Sequence, residues 1–572
     1  MNENRNMMLA IVLSALILIG WSLLSDKVFP TAGPQTQQVR NGKVTPAPQP
    51  SATPSADAPK AIRDRNIVLA EGPRVRIETP NVKGSINLTG ARFDDLVLLR
   101  QRESIAKDSP PVRLLSPAGA KESFFAQFGW TGQGVAAPDA TSVWTTSAPV
   151  LAPGKPVTLS WTNSTGQRFE QIISVDDGYL FTIRQRVANG GTGAIALHSY
   201  GLASRSTKSV DPSTWTNHVG PISFLADKAD YDIDWDTLDE DKAGITRDSR
   251  GGWLGFTDKY WLTALIPSNG APIEASFRKS GSGAYQADYS GASFVVAPGQ
   301  AVSSEASLFA GAKEKKLLDR YEDQGIPKLS KSIDWGWFEW FMRPIFGLLQ
   351  WLFHATGNFG VAIICLTFIV RMLMFPIADK QFKSMAGMRR VQPKMKVIQE
   401  RYKDDKPRLQ QEMLKLYQEE KINPAAGCLP ILLQIPVFYA LYKVLMVSVE
   451  MRHQPFALWI KDLSAPDPLT PVNLFGLLDF VPPHFLAIGV LPILLGVTMW
   501  MQFKLNPQQM DPVQQQIFGI MPWVMMFVMA PFAAGLQLYW VVSNLLTIAQ
   551  QKWLYYRYDH ALNPAEPAVA RK

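Results

Sequence analysis

Six apolar runs, each long enough to cross a lipid bilayer as a helix, constrain this chain more than any other feature of its sequence. A spanning helix needs about 20 predominantly apolar residues, and such runs occupy residues 7–24 and about 357–377, 428–449, 484–502, 516–532 and 534–551. The first run could be a cleaved signal peptide, but no small-residue cleavage site closely follows it and Pro30 intervenes, which favours an uncleaved anchor. The sequence therefore predicts a multi-domain membrane protein with an α-helical transmembrane bundle.

Charge in the segments between the runs predicts how the bundle is oriented. Residues 378–424 carry twelve Lys and Arg against seven Asp and Glu, whereas residues 450–483 carry two against four. Lys and Arg are enriched on the cytoplasmic side of membrane proteins, so we expect the first segment inside and the second outside. Both termini are then cytoplasmic, and residues 25–356 lie outside. The net charge of +8 thus belongs to loops beside the membrane and not to a surface for a specific nucleic-acid sequence.

Arg371 lies near the inner end of the second run. A charged side chain in a spanning helix costs roughly 2.5–3.5 kcal/mol at the bilayer centre, and such a residue marks a functional pathway by default. Polar residues gather in the inner halves of the other runs, whereas the outer halves contain few apart from Lys443 and Gln537. This asymmetry predicts a hydrated pocket that opens to the cytoplasm, with Tyr539 and Trp540 lining its outer part. The candidate polar residues are Arg371, Gln434, Thr498, Gln502, Ser543, Asn544 and Thr547.

The part of the chain outside the bundle divides by composition. Residues 25–60 are rich in Pro, Ala, Ser and Thr and are expected to form a flexible linker. Apolar and polar residues alternate through much of residues 61–320, which is typical of an antiparallel β-sandwich. In residues 321–356, Trp and Phe are interrupted by charges, which predicts an amphipathic helix along the outer membrane interface. The alternative is that this segment extends the next transmembrane helix.

The basic segment at residues 378–424 is predicted to form a cytoplasmic helical hairpin. Apolar side chains recur every three or four residues on each arm, and Asp404-Asp-Lys-Pro407 supplies the turn, since proline cannot continue a preceding helix. Methionines suit adaptable contact with varied apolar ligands, but they could equally hold the two arms together, and both interpretations stay open. The candidate contact residues are Met385, Met388, Arg389, Arg390, Lys394 and Met395.

No residue pattern points to catalysis, to a cofactor or to a metal ion. The two cysteines, Cys365 and Cys428, lie in or beside apolar runs without metal-ligand company. Residues 230–241 resemble a calcium loop, but Trp235 stands where that loop needs glycine and Asp241 where it needs glutamate. A solvated acidic loop is the better interpretation, and the chain is expected not to be an enzyme.

Six short motifs are distinctive in combination: Arg371-Met-Leu-Met-Phe-Pro376, Gln392-Pro-Lys394, Asn423-Pro-Ala-Ala-Gly-Cys-Leu-Pro430, Gln434-Ile-Pro436, Pro455-Phe-Ala-Leu-Trp-Ile-Lys-Asp-Leu463 and Ser543-Asn544. Through them the chain resembles, along essentially its whole length, the YidC/Oxa family of membrane protein insertases in its Gram-negative form. The resemblance implies a periplasmic β-supersandwich related to sugar-mutarotase folds, a five-helix insertase core at 357–552 and a basic cytoplasmic tail at 553–572. It also implies that Arg371 is the cation of a hydrophilic groove. Tyr539 and Trp540 match positions where substrate helices slide, and the second of these is commonly tyrosine in relatives.

The same resemblance implies an insertase and chaperone of the bacterial inner membrane. Its expected partners are nascent membrane proteins, the Sec translocon with its accessory subunits, the ribosome and the lipid bilayer. Two other classes are disfavoured by the residues. A lipid or solute transporter would show repeats with broken helices around a midplane site, and no repeat is evident. A scaffold of the cell envelope would not need a buried arginine.

Overall fold

The computed structural model describes residues 39–40, 43–44, 62–211, 213, 217–241, 243–336, 338–403, 405–420, 429–478, 487–505 and 512–562. The chain divides into two compact units, Met1–Ala52 and Thr53–Lys572. In the first unit, strand β1 (Val39–Arg40) pairs antiparallel with β2 (Lys43–Val44). The predicted anchor at residues 7–24 lies outside the described residues.

The strands of the second unit form two large sheets. Their bounds are β3 Arg74–Glu78, β4 Val82–Asn87, β5 Arg92–Arg102, β6 Pro111–Leu115, β7 Phe124–Gly132, β8 Thr145–Thr146, β9 Val150–Leu151, β10 Val157–Thr162, β11 Gln167–Val175, β12 Leu180–Asn189, β13 Ile195–Arg205, β14 Gly220–Leu225, β15 Lys228–Asp230, β16 Ile245–Arg250, β17 Trp253–Thr257, β18 Trp261–Pro267, β19 Pro272–Lys279, β20 Tyr285–Gly291, β21 Phe294–Val296 and β22 Ala301–Ala312. The order in one sheet is β15-β14-β17-β18-β22-β12-β11-β10-β8. In the other it is β16-β19-β20-β13-β7-β5-β4-β3-β9, with β6 on β5 and β21 on β13. Neighbours are antiparallel, except that β3 and β9 run parallel.

The two sheets face each other across an apolar core, which confirms the predicted antiparallel sandwich. Along β12, Phe181 and Ile183 point inward and are fully buried, as successive side chains of a strand alternate between its faces. Phe181 meets Phe93 of the other sheet edge to face, with ring centroids 5.4 Å apart. Gln185 is also buried, and its amide donates a 2.9 Å hydrogen bond to the Gly129 carbonyl of β7. A buried polar group is therefore satisfied by linking one sheet to the other.

The helices of the described chain lie mostly after the last strand. Their bounds are α1 Arg65–Ala70, α2 Trp235–Glu240, α3 Lys315–Asp323, α4 Glu339–Thr356, α5 Phe359–Leu373, α6 Phe375–Arg401, α7 Lys406–Glu419, α8 Leu429–Val447, α9 Val490–Leu505, α10 Pro512–Met529 and α11 Ala534–Leu562, with 3₁₀ turns at Leu329–Ser332, Val449–Met451 and Pro471–Gly476. Over the ranges described, no helix combines the length and the apolar character that crossing a bilayer requires. The transmembrane arrangement of the five core runs stays a prediction.

The acidic segment that resembles a calcium loop forms the short helix α2 instead. Asp234 caps this helix, accepting a 2.7 Å hydrogen bond from the backbone N–H of Thr237. Hydrogen bonds from Lys208, Lys279 and the Tyr285 hydroxyl hold the pKa of the Asp239 carboxyl well below its usual range. No group of metal-ligating side chains occurs among the residues with described positions. The carboxylates here cap a helix and pair with lysines.

Helix α4 is amphipathic and separate from the helix that follows it. Its buried residues recur every three or four positions, while Trp340 and Trp351 on the other side are 70% and 65% exposed. Gly357 ends the helix with φ +70°, a conformation that glycine adopts without the steric cost of a side chain. Asn358 then caps α5 by accepting a 3.1 Å bond from Val361 N–H. The alternative of one continuous helix is thus wrong. The buried positions are Met342, Phe346, Leu349 and Leu352.

The two polar residues predicted in the outer halves of the runs both have structural partners. The Gln537 amide donates 2.8 Å hydrogen bonds to the carbonyls of Met529 and Phe532, closing the turn between α10 and α11. The buried Lys443 ammonium donates to the Asp334 carbonyl at 2.7 Å and pairs with its carboxylate at 3.5 Å. The second contact joins α8 to the segment that links the sandwich to α4.

Candidate functional site

Arg371 lies on the last turn of α5 and points toward α11. Its Nη2 donates to the Ser543 hydroxyl at 2.5 Å and to the Ser543 carbonyl at 3.2 Å. No ion pair joins Arg371 to a carboxylate in the part of the chain that the structure describes, and its buried Nε has no hydrogen-bond partner there. A guanidinium offers five N–H donors. This one is held by the neutral acceptors of Ser543 and not by a described carboxylate.

The surrounding helices contribute neutral polar side chains to the same place. Asn544 donates a 3.1 Å hydrogen bond to the Thr498 hydroxyl of α9, and Gln434 of α8 donates to the Tyr539 hydroxyl of α11. Apart from half-buried Arg371 and Gln434, these side chains are buried. We call this set, which joins α5, α8, α9 and α11, the polar seam: Arg371, Gln434, Thr498, Tyr539, Ser543 and Asn544.

Two predicted site residues lie beside the seam without a described hydrogen bond to it. Gln502 is half-buried on α9, one helical turn beyond Thr498. Trp540 is half-buried and meets Phe438 of α8, with ring centroids 4.8 Å apart. Because successive residues of a helix are about 100° apart around its axis, Trp540 faces a different neighbour from Tyr539. Of the two rings, that of Tyr539 belongs to the seam.

Two further residues of α11 extend the seam: Thr547, which is among the candidate polar residues of the sequence, and Gln551, which is not. The Thr547 hydroxyl donates a 2.7 Å hydrogen bond to the Ser543 carbonyl, which also accepts from Arg371. Gln551 is 3% exposed, although it lies near the polar end of the helix. Its position seven residues after Asn544 places it on the same helix face. That spacing was the signal that sequence reasoning missed.

An exposed apolar surface borders the seam. Met372 and Leu373, directly after Arg371, are 73% and 75% exposed, and Phe368 one turn earlier is 48% exposed. Ile520 and Phe527 of α10 are exposed as well. Exposed apolar side chains that cluster in this way beside Arg371 are typical of contact with a membrane or with another protein. Exposed apolar side chains of α5 therefore lie directly beside Arg371 of the polar seam.

The helical hairpin, made of α6 and α7, has a small apolar core of its own. Val391 and Met395 of α6 pack against Leu416 of α7, and all three are buried. Met395 therefore helps to hold the two arms together, which is one of the two interpretations of the methionines. Lys394 is engaged as well, in a 2.6 Å ion pair with Glu420. The structure does not describe the side chains of the other four candidate contact residues, so their role stays a prediction. These residues are Met385, Met388, Arg389 and Arg390.

Truncating the hairpin core is expected to loosen the two arms. Leu416→Ala should destabilise their packing by about 2–5 kcal/mol, the usual cost of removing a buried leucine. Leu414→Ala is the matched control, since Leu414 is on the same helix and 58% exposed. Amide hydrogen exchange along α6 measures the effect, and faster exchange only in the Leu416 variant is expected. Equal exchange in both variants would contradict the packing role.

Comparison with known proteins places these features in a family. The family model described as 60Kd inner membrane protein matches residues 351–561, and the YidC periplasmic domain model matches residues 74–348. The membrane protein insertase YidC of Zymomonas mobilis subsp. mobilis is 49% identical over 563 residues, covering 98% of this chain and 96% of the relative. That of Rhizobium etli is 45% identical over 577 residues, with coverage of 98% and 96%.

Two solved structures are also similar in part. A crystal structure of an active YidC insertase has a TM-score of 0.36 and 18% identity, and covers 85% of this chain and 96% of that one. A putative aldose 1-epimerase from Escherichia coli has a TM-score of 0.27 and 11% identity, and covers 41% of this chain and 98% of its own.

Proposed function

Since the chain belongs to the YidC family of membrane protein insertases, we propose that it inserts nascent proteins into the bacterial inner membrane and assists their folding. The observation that carries this proposal is the guanidinium of Arg371. It lies between α5 and α11 on neutral acceptors, with donors to spare, beside an exposed apolar surface. A half-buried cation that forms no ion pair among the described residues suits transient binding of acidic residues on a passing polypeptide.

The polar seam lowers the barrier that a short hydrophilic tail meets in crossing hydrocarbon. Arg371 binds an acidic residue of the tail, while neutral partners such as Gln434 and Asn544 replace part of its hydration. The membrane potential draws negative charge outward with about 2.3 kcal/mol per charge per 100 mV. No nucleotide is required for this step, and the protein acts as an insertase without enzymatic chemistry.

The apolar segment of the substrate leaves along the exposed surface next to the seam. Met372, Leu373 and Phe368 present apolar side chains there, so a substrate helix exchanges one apolar contact for another as it enters the lipid. Its burial is favourable by roughly 25 cal/mol per Å² of apolar area removed from water. This gain drives the transfer of the helix from water to the apolar surface, and the later exchange of apolar contacts lets it pass into the lipid at little cost.

The proposed arrangement in the membrane has six spans with both termini in the cytoplasm. It consists of an anchor at 1–24, a linker at 25–60, a periplasmic sandwich at 61–320, an interfacial helix region at 321–356, the insertase core at 357–552 and a tail at 553–572. Loop charge supports it, and so does the end of the last strand at Ala312, before α3 and the helices that follow it. The hairpin and the basic tail would receive the nascent chain from the ribosome, alone or with the Sec translocon.

Insertion by the purified protein in liposomes tests the proposed function. The substrate is a single-span protein with a short acidic translocated tail, synthesised in the presence of the proteoliposomes. Protection of the tail from added protease reports insertion. We expect protection without any further membrane protein. Equal protection in empty liposomes would overturn the proposal.

A further inference from the structure

A cavity of about 920 Å³ lies where the β-sandwich meets the helical part of the chain. The end of β5 and the residues after it form one wall, and the C-terminal half of α4 forms another. The segment from Val449 to Lys461 closes the third side. The polar seam is not among the residues that line it. Nothing in the proposed insertion route uses this cavity.

The lining is strongly cationic. Against two carboxylates, Glu314 and Glu450, it contains six Lys and Arg side chains: Arg100, Arg102, Lys107, Lys316, Arg452 and Lys461. Glu450 is committed elsewhere, because its oxygens accept hydrogen bonds from Lys315 N–H at 2.9 Å and from the Ser448 hydroxyl at 2.8 Å. Burial also raises the pKa of the Glu450 carboxyl. The acidic groups therefore do not balance the charge of the lining.

The cationic groups differ in how far they are engaged. Arg452 donates to the carbonyls of Arg102 and Glu103 at 2.6 Å and 3.2 Å, so it fastens the sandwich to the helices. In contrast, Lys107, Lys316 and Lys461 are exposed and form no ion pair with any carboxylate in the described ranges. The Lys316 ammonium is 3.5 Å from Nε2 of His354, and none of the three ammonium groups is neutralised by a described carboxylate. Their positive charge can therefore attract a bound anion.

The cavity also has an apolar side that faces the expected membrane interface. Phe353 of α4 and Phe359 of α5 both line it and stack with ring centroids 3.8 Å apart. On the same helix Trp351 is 65% exposed, and exposed tryptophans favour the headgroup level of a bilayer. A ligand with an anionic head and an apolar body matches this combination of lysines and stacked rings.

We propose that this cavity binds the headgroup of an anionic phospholipid from the outer leaflet. Lys107, Lys316 and Lys461 surround its phosphate. The Phe353–Phe359 stack lies beside its glycerol and acyl esters. The inference rests on the proposed function only for the location of α4 at a membrane. Bound lipid would fasten the sandwich to the membrane surface. This second attachment would lie next to the one that Arg452 makes between the sandwich and the helices. An acidic protein segment would use the same lysines but would gain nothing from the interfacial tryptophan.

Binding of phosphatidylglycerol with a fluorescent acyl chain to the full-length protein in detergent micelles tests the site. Since one lysine beside an anionic lipid surface contributes roughly fivefold in affinity, we expect the triple variant K107Q/K316Q/K461Q to bind at least tenfold more weakly than the unaltered chain. The control variant K83Q/K155Q/K228Q removes three exposed lysines of the sandwich that do not line the cavity. It should bind like the unaltered chain.

Three outcomes would overturn the site: equal affinity for phosphatidylglycerol and phosphatidylcholine, unchanged binding in the cavity variant, or displacement of the lipid by excess inorganic phosphate. The last would show that the cavity recognises phosphate alone. Because binding is measured without any substrate protein, a failed insertion assay leaves this result interpretable. Conversely, loss of lipid binding does not bear on the insertion measured through Arg371.

Discussion

Replacing Arg371 by alanine is expected to slow the insertion of a single-span substrate with an acidic translocated tail at least tenfold. A substrate whose tail is neutral and of equal length should be affected much less. Two unit charges 4 Å apart attract each other by about 4 kcal/mol at an effective dielectric constant of 20. A tenfold change in rate corresponds to about 1.4 kcal/mol, so the expected effect is smaller than this attraction and tolerates substantial screening. Initial rates of tail protection in proteoliposomes measure it.

Arg371→Lys separates the charge from the geometry of the guanidinium. A lysine keeps the positive charge but loses the planar fork, so it should retain much of the insertion activity. Lys504→Ala is the control, because Lys504 is an exposed cation at the end of α9 and not part of the polar seam. It should leave both substrates unaffected. If lysine at position 371 failed as completely as alanine, transient charge pairing would not be the role of this residue.

Asp334→Ala is expected to destabilise the purified protein by about 2–4 kcal/mol. Its carboxylate pairs with Lys443, which is 1% exposed, and also accepts from His218 N–H at 3.2 Å. Removing one partner of a buried pair costs about 3–5 kcal/mol, because the other charge stays buried without compensation. The expected loss is somewhat smaller here, since the Asp334 side chain is 18% exposed and its carbonyl still accepts from Lys443. Thermal unfolding in detergent, followed by tryptophan fluorescence, measures the change.

A second substitution distinguishes the buried charge from a general loss of packing. Asp334→Ala combined with Lys443→Met removes both charges and should recover at least half of the lost stability. Asp236→Ala is the control, because Asp236 is 79% exposed in its pair with Lys208 and exposed pairs contribute about 0–1 kcal/mol. A double variant as unstable as Asp334→Ala alone would contradict the charge-pair explanation.

The sequence was sufficient for features that depend on local periodicity. Alternation along residues such as Phe181 and Ile183 predicts strands with one buried face, and the structure confirms them in a sandwich. The three- and four-residue spacing around Met395 predicts a helix, and α6 covers it. Backbone hydrogen bonding imposes these periods on neighbouring residues, so they can be read without knowing the tertiary contacts. The roles of the methionines could not be read in this way, since the same spacing suits a core or a binding surface.

The sequence by itself determined the family, the β-rich and helical halves of the chain, and the exceptional position of Arg371. The tertiary structure alone decided which groups meet: Arg371 with Ser543, Gln434 with Tyr539, and Lys443 with Asp334. It also decided that Trp540 meets Phe438, outside the seam, while Tyr539 meets Gln434 within it. These pairs join residues about 100 or more positions apart. Their partners depend on how each helix is rotated and packed against the others, and hydropathy along a single run carries no information about that rotation.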